Sequence, residues 1–252
     1  MTLINKDVII VGGGAGGLAA AVELRKQGIE DILIIEREKH LGGILNQCIH
    51  DGFGLTRFKE TLSGPEYAQR FIDEVEEAGI DYITDTTVLD ISAEKKVVAV
   101  SKNGLLEYNA KAVVLTMGCR ERTRGALQIP GSRPTGVYTA GVAQMYTNLK
   151  NTMVGRNVMI LGSGDIGMIM ARRLTLEGAK VHAVFARGDT PRGLARNVEQ
   201  CLNDYNIPLY LSHNVTQIHG KDRLEGITIS KVGKDNEPIP GTEKYYPSSA
   251  TS

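Results

Sequence analysis

Tryptophan is absent from this 252-residue chain, and only three cysteines are present. Cys48, Cys119 and Cys201 form neither a CxxC pair nor a cluster with metal-ligand spacing. An odd, scattered set is no disulfide framework, so all three are expected to be thiols. Net charge is absent too: 29 basic and 29 acidic residues cancel. That balance gives no reason to expect nucleic acid or an acidic membrane surface as a partner, although it leaves room for a local basic patch. No apolar run approaches the roughly 18 residues of a membrane span, and the N-terminus MTLINKD lacks the basic and apolar regions of a signal peptide. The expected compartment is therefore the cytosol. What the chain has in quantity is glycine, 29 residues, which suits an α/β protein with many tight strand-to-helix turns.

The most ordered information lies between Asp7 and Arg37. Val8, Ile9, Ile10 and Val11 predict a short, fully apolar strand. The chain then turns through Gly12, Gly13, Gly14, Ala15, Gly16 and Gly17, a GxGxxG placed between a strand and a helix. In that context the first glycine permits a tight turn, the second lets backbone approach a pyrophosphate, and the third lets the helix pack closely on the strand. The helix expected over 18–27 presents its free amides and positive dipole end to the same pyrophosphate, and Gly28 stops it. A second apolar strand over 32–35 delivers Glu36 about twenty residues past the loop, where a carboxylate can accept both ribose hydroxyls of an adenosine. A dinucleotide grip is the expectation.

Further along, Arg37 to Gly43 is a polar turn ending in two glycines, either a loop against a ligand or a solvated tip. After it, 44–50 mixes apolar residues with Asn46, Cys48 and His50. From Gly64-Pro65, apolar Tyr67, Phe71, Ile72 and Val75 beside Glu66, Asp73, Glu74, Glu76 and Glu77 predict an amphipathic surface helix ending at Gly79. Short strands at 82–83, 88–91, 97–100 and 105–108 predict an antiparallel meander, and 111–117 another buried-type strand. Gly118 to Lys150, with Pro130, Gly131, Pro134, Gly136 and Gly141 as breakers, reads as an irregular crossover between domains.

The opening pattern then returns. A strand over 157–161 runs into Gly162-Ser163-Gly164-Asp165-Ile166-Gly167, a helix over 168–177 stopped by Gly178, and a strand over 180–185. Two glycine loops in matching context favour a flavin-plus-nicotinamide architecture over either loop alone. The copies differ at the ribose position, because the second strand ends in Phe185-Ala186-Arg187 with no carboxylate. Arg187, helped by Arg192 and Arg196, suits a 2′-phosphate, since guanidinium pairs bidentately with phosphate oxygens, and NADP is slightly favoured over NAD. Against this, the third glycine of the loop is Gly167, where a larger residue would point to NADP more clearly. The plain alternative for the arginines is a solvated face.

The two loops, Glu36, Gly42-Gly43 and Thr116-Met117-Gly118-Cys119-Arg120 resemble the flavoprotein family that contains thioredoxin reductase and the pyridine nucleotide-disulfide oxidoreductases, over nearly the whole chain. The run from Thr116 through Ile129-Pro130-Gly131 to Gly136-Val137-Tyr138-Thr139-Ala140-Gly141 is similar to a sub-group, the subunits of opine, sarcosine and related dehydrogenases. Gly43 to His50 resembles proteins accompanying anaerobic glycerol-3-phosphate dehydrogenases. The resemblance implies two Rossmann-like three-layer domains, the first with an antiparallel meander: 1–125 for FAD, a crossover over 126–152, 153–235 for NAD(P)H, and a tail over 236–252. It implies contact with FAD by Gly12, Gly14, Ala15, Gly16, Gly17, Glu36, Arg37, Gly43, Val88, Thr116 and Gly118. For the nicotinamide dinucleotide it implies Gly162, Gly164, Asp165, Ile166, Gly167 and Arg187. The function implied is hydride transfer between NAD(P)H and FAD. Electrons would pass to a small-molecule or protein acceptor, and the expected assembly is a hetero-oligomer with a dehydrogenase subunit.

Two departures stand out. The redox-active cysteine pair of the disulfide reductases is missing, and Cys48 is left as a single candidate catalytic thiol with His50 as its activator, supporting a thiol, disulfide or peroxide reductase. Equally, Cys48 reads as a small buried hydrophobe and His50 as a loop hydrogen-bonder. The chain also ends before the family's return to the first domain. Tyr245-Tyr246-Pro247 is read as the start of that return and 248–252 as a disordered tail. The expectation is a truncated fragment with FAD held weakly, or a silent nucleotide-binding module.

Overall fold

The computed structural model describes residues 3–248, and the chain divides into two compact units meeting between Cys119 and Arg120. In the first unit, β1 (Leu3–Val11), α1 (Ala15–Lys26) and β2 (Ile32–Ile35) form a βαβ turn. A 3-10 helix (Gly43–Gln47), β3 (Asp51–Phe53), β4 (Leu62–Ser63) and α2 (Gly64–Glu77) follow, then β5 (Asp81–Ile83), β6 (Thr86–Ile91), β7 (Lys96–Ser101) and β8 (Gly104–Leu115). The sheet order is β5-β2-β1-β8-β7-β6, with β5, β2, β1 and β8 parallel and β8, β7 and β6 antiparallel.

The apolar runs of β1 and β2 have a direct physical cause. Val8, Ile10, Ile32 and Ile34 enter the core shared with α1 and α2, while Ile9, Val11, Leu33 and Ile35 enter a second core against the meander. A strand buried on both faces has no need to alternate with polar residues. The helix α2 starts on a reciprocal cap. Ser63 N–H and hydroxyl both donate to the Glu66 carboxylate, and Glu66 N–H donates back to Ser63 Oγ.

The two strands expected at 105–108 and 111–117 are one. Nothing between them breaks the chain, and Tyr108 and Ala110 are both buried, so β8 continues. It pairs with β7 through its first half and with β1 along its second.

In the second unit, α3 (Ala140–Leu149) precedes β9 (Asn157–Leu161), α4 (Asp165–Leu176), β10 (Lys180–Phe185), α5 (Ala195–Cys201) and a 3-10 turn (Asn203–Tyr205). The strands β11 (Leu209–Tyr210), β12 (His213–His219), β13 (Gly226–Lys231) and β14 (Lys244–Pro247) complete it. A parallel sheet, β11-β10-β9, packs its helix side around Met168, Met170 and Leu174. Its other side, through Ala183 and Phe185, packs against Val215, Ile218, Ile227 and Ile229 of the antiparallel sheet β12-β13-β14. Each unit thus has three layers.

Three expectations about the second unit need correction. The crossover over 126–152 is not irregular throughout, since its breakers precede α3 or, as Gly141, fall in its first turn. It also belongs to the second unit, with bridges from Gly131 to Ile218 and Thr135 to Arg223 and an Arg124 guanidinium donating to Gly131 O. The first unit accordingly ends at Cys119 and not at 125. Finally, Tyr245-Tyr246-Pro247 lie in the second unit, as part of β14. These residues pair antiparallel with β13, and the Tyr246 ring packs edge-on against Phe185 with centroids 5.4 Å apart. Of the end expected to be disordered, 248–252, Ser248 is placed, its N–H donating to Glu225 O at 2.7 Å, and 249–252 lie outside the described residues.

Candidate functional site: two glycine loops

The first loop is organised around Gly12, Gly17 and Thr116. Gly12 has φ of 108°, and its N–H donates to Ile35 O at 2.9 Å. A Cβ on Gly12 would sit 2.5 Å from Thr116 O, and one on Gly17 would overlap Gly12 O and lie 2.8 Å from Thr116 Oγ1. The Thr116 hydroxyl lies 3.0 Å from Val11 O and 2.9 Å from Gly12 O. Together they bind the strand end, the loop and the helix start into one packed unit. The loop's outward side is open. At Gly14 an added Cβ would find only Gly43 Cα, 3.9 Å away, and at Gly16 only Thr116 carbons at 3.6 Å or more. Gly14 is the N-cap of α1, no side chain caps that end, and the first turn holds no acid. These features form a cradle for an anion, with Ala15, half-buried, opening the helix.

Glu36 is engaged within the protein itself. It is 5% exposed, its Oε2 accepts from Gly13 N–H at 2.6 Å, and its Oε1 accepts from Glu38 N–H at 2.8 Å. The carboxylate therefore ties the glycine loop to the turn after β2, with lone pairs to spare for ribose hydroxyls. Its backbone carbonyl accepts from Thr86 N–H at 3.0 Å, and Glu38 O from Asp85 N–H at 2.9 Å, so the edge strand carrying Val88 starts beside the acid. Arg37 is exposed, its Nε 3.4 Å from Glu38 Oε1, a surface pair that fixes little.

The Gly42-Gly43 turn closes against the same loop. Gly42 N–H donates to Gly13 O at 2.8 Å, Gly14 and Gly42 form a bridge, and a Cβ on Gly43 would lie 3.0 Å from Gly14 Cα. Asn46 Nδ2 braces the turn through Leu41 O at 2.8 Å. Gly118, with φ of 69°, lies within the exposed segment after β8.

Cys48 and His50 follow the 3-10 helix. The half-buried Cys48 thiol donates to Ile44 O at 3.3 Å, and burial pushes its pKa up. His50 Nδ1 lies 3.0 Å from Asp51 O, and its ring is 5.3 Å from Phe53. Desolvation thus disfavours the thiolate that nucleophilic chemistry needs.

The second loop repeats the strand-to-helix contact of the first. Gly162 has φ of 123°, its N–H donates to Phe185 O at 2.7 Å, and a Cβ on Gly167 would overlap Gly162 O. The glycine at 167 is thus required by packing of α4 on β9. A Cβ on Gly164, the N-cap of α4, would meet nothing within 4 Å. Ile166 packs, half-buried, into the helix-side core.

Asp165 differs from what its position suggests. Its Oδ1 accepts from Leu194 N–H and from Asn197 Nδ2, both at 2.7 Å, so the carboxylate turns to the start of α5. Buried Ser163 joins it, its carbonyl accepting from Gly193 N–H at 2.9 Å and Arg192 N–H at 3.2 Å. Sequence reasoning missed Ser163, Gly193 and Asn197. The available signal was Asp165 itself, an acid right after the glycine loop with no partner nearby in sequence. Arg187 is exposed just past Ala186, whose backbone bonds Tyr210 O and His213 N at 2.9 Å. Arg192 and Arg196 are exposed as well.

Among the described residues no three His, Cys, Asp or Glu side chains are grouped to hold a metal, and no helix is long and apolar enough to cross a membrane.

The chain is similar to known proteins. A thioredoxin reductase from Streptomyces clavuligerus is 25% identical over 235 residues, covering 92% of this chain and 70% of its own length. An opine oxidase subunit from Agrobacterium tumefaciens is 26% identical over 197 residues, 73% of this chain but 37% of that protein. The crystal structure of Lactococcus lactis thioredoxin reductase superposes with a TM-score of 0.68 over 96% of this chain and 75% of that one, at 19% identity, a likeness of fold. The family model described as pyridine nucleotide-disulphide oxidoreductase matches residues 6–241, so the chain belongs to that family.

Proposed function

We propose that the chain works as a flavoprotein oxidoreductase, with FAD on the loop of Gly12, Gly14, Ala15, Gly16 and Gly17, and NAD(P)H on the loop of Gly162, Gly164, Ile166 and Gly167. One observation carries this reading. The loops have the same internal packing, Gly17 against Gly12 and Gly167 against Gly162, yet they differ where the ribose would lie. Glu36 stands at the first and Arg187 at the second. The open Cβ positions at Gly14, Gly118 and Gly164 and the uncapped starts of α1 and α4 fit a diphosphate at each.

Within this reading, Glu36, held between the Gly13 and Glu38 amides, accepts the adenosine ribose hydroxyls of FAD, and Val88 borders the adenine. Gly43, Thr116 and Gly118 line the side toward the flavin. Arg187 faces the 2′-phosphate of NADP, with Arg192 beside it, which makes NADPH the favoured donor. Bound there, the two cofactors supply hydride transfer from nicotinamide to flavin, and the chain contributes orientation and electrostatics.

The electron acceptor is a small molecule or a partner protein. The likeness to the opine oxidase polypeptide, which is named as one subunit of that enzyme, supports the second, and we take the assembly to be a hetero-oligomer with a dehydrogenase. The cytosol, where thiols persist, is the compartment we assign. A single-thiol reductase through Cys48 is disfavoured by the raised thiol pKa.

Calorimetric titration with FAD, then with NADPH and NADH, tests the reading. Two independent sites are expected, with NADPH bound more tightly than NADH. Competition of FAD and NADPH for a single site would overturn it.

A further inference from the structure

We propose that Asp165 is a positioning residue that reads the nicotinamide nucleotide indirectly, by latching the segment that carries Arg192 onto the glycine loop. This rests on the reading of the second loop as an NADPH site. It goes beyond that reading, because Asp165 would ordinarily be assigned to the diphosphate itself.

A carboxylate in the first turn of α4 is electrostatically wrong for a helix that receives a diphosphate, since two anions would share one dipole end. The first copy has no acid at the equivalent turn. In the second, the carboxylate is engaged elsewhere. Asp165 Oδ1 takes hydrogen bonds from Leu194 N–H and Asn197 Nδ2, both at 2.7 Å, and Asn197 is itself buried. Ser163 O takes those of Arg192 and Gly193 N–H. Gly193 can be nothing larger, because its Cβ would lie 2.6 Å from Asp165 Oδ1 and 2.9 Å from Asp165 N.

Four donors in 192–197 therefore bond residues 163 and 165 of the loop. The backbone of Arg192 is fixed to the loop that would hold the diphosphate, while its side chain stays exposed. A guanidinium loses less freedom on meeting a phosphate when its backbone is already placed. Recognition of a 2′-phosphate thus depends on Asp165 and Asn197, neither of which needs to touch the nucleotide.

The test is binding of 2′,5′-ADP and of ADP to the full chain by calorimetry, with thermal melting to confirm folding. Arg192→Ala is expected to weaken 2′,5′-ADP about tenfold, as loss of a charge-assisted hydrogen bond would, and to leave ADP nearly unchanged. Asp165→Ala and Asn197→Leu should reproduce that selective loss. Asp165→Asn retains an acceptor at Oδ1 and should restore the 2′,5′-ADP preference. If Asp165→Ala does not fold, Asn197→Leu is read alone. Loss in Arg192→Ala with full 2′,5′-ADP preference in the latch variants would overturn the latch and leave the NADPH reading standing. An unchanged preference in Arg192→Ala itself would remove Arg192 from the site and the latch with it.

Discussion

Glu36 accepts a 2.6 Å hydrogen bond from the backbone N–H of Gly13, so the acid at the end of β2 shapes the loop it serves. Its replacement by alanine would leave two backbone donors, at Gly13 and Glu38, without their acceptor in a largely buried setting. We expect Glu36→Ala to destabilise the chain by about 2 kcal/mol, the cost of unsatisfied buried donors, and to weaken FAD. Denaturant unfolding and FAD titration check both effects. A variant that loses FAD at unaltered stability would reduce Glu36 to a ligand contact.

The paired glycines allow the two sites to be disabled separately. Gly17→Ala places a methyl against Gly12 O, and Gly167→Ala one against Gly162 O. The first should weaken FAD and spare NADPH, and the second the reverse, each by about tenfold or more as the helix start is pushed from the strand. Equilibrium binding of each nucleotide to each variant gives the four values needed. Equal loss of both nucleotides in either variant would contradict separate sites.

Cys48 offers a pH test. Burial raises its thiol pKa, so the thiolate appears only above the ordinary cysteine range. Alkylation of Cys48, followed by mass spectrometry, should be slower at neutral pH than that of exposed Cys119 and should rise at higher pH. Fast labelling of Cys48 at neutral pH would restore it as a nucleophile.

At the start of α2, the backbone and hydroxyl of Ser63 donate to Glu66 and hold its pKa below the ordinary carboxylate value. A depressed folded pKa gives stability that is fully present above the unfolded value and lost as pH falls through the folded one. Melting curves of the wild type and Glu66→Gln should therefore converge in acid and separate toward neutral pH. A gap independent of pH would show that the charge on Glu66 has no part in the cap.

Much of this was legible in the sequence because the informative residues are consecutive. Val8 to Gly17 and Asn157 to Gly167 carry strand, turn and helix start in one run, and the doubly buried β1 and β2 announce themselves by their lack of polar residues. The glycines of both loops lie where the sequence spacing puts them, and Glu36 and Thr116 bond the first loop from 23 and 104 residues away. What escaped was long-range or context-set. The helix α3 was masked by neighbouring prolines and glycines, and β14 by the turn-rich segment that separates it from its partner strand β13. The part of Asp165 was hidden because spacing cannot show whether a carboxylate faces a ligand or, as here, Leu194 and Asn197.

If the two loops serve one electron path, anaerobic mixing of the FAD-loaded chain with NADPH bleaches the visible flavin absorbance, faster than mixing with NADH does, and the bleaching is lost in Gly167→Ala. Bound flavin that neither nucleotide reduces, although NADPH binds, would contradict it.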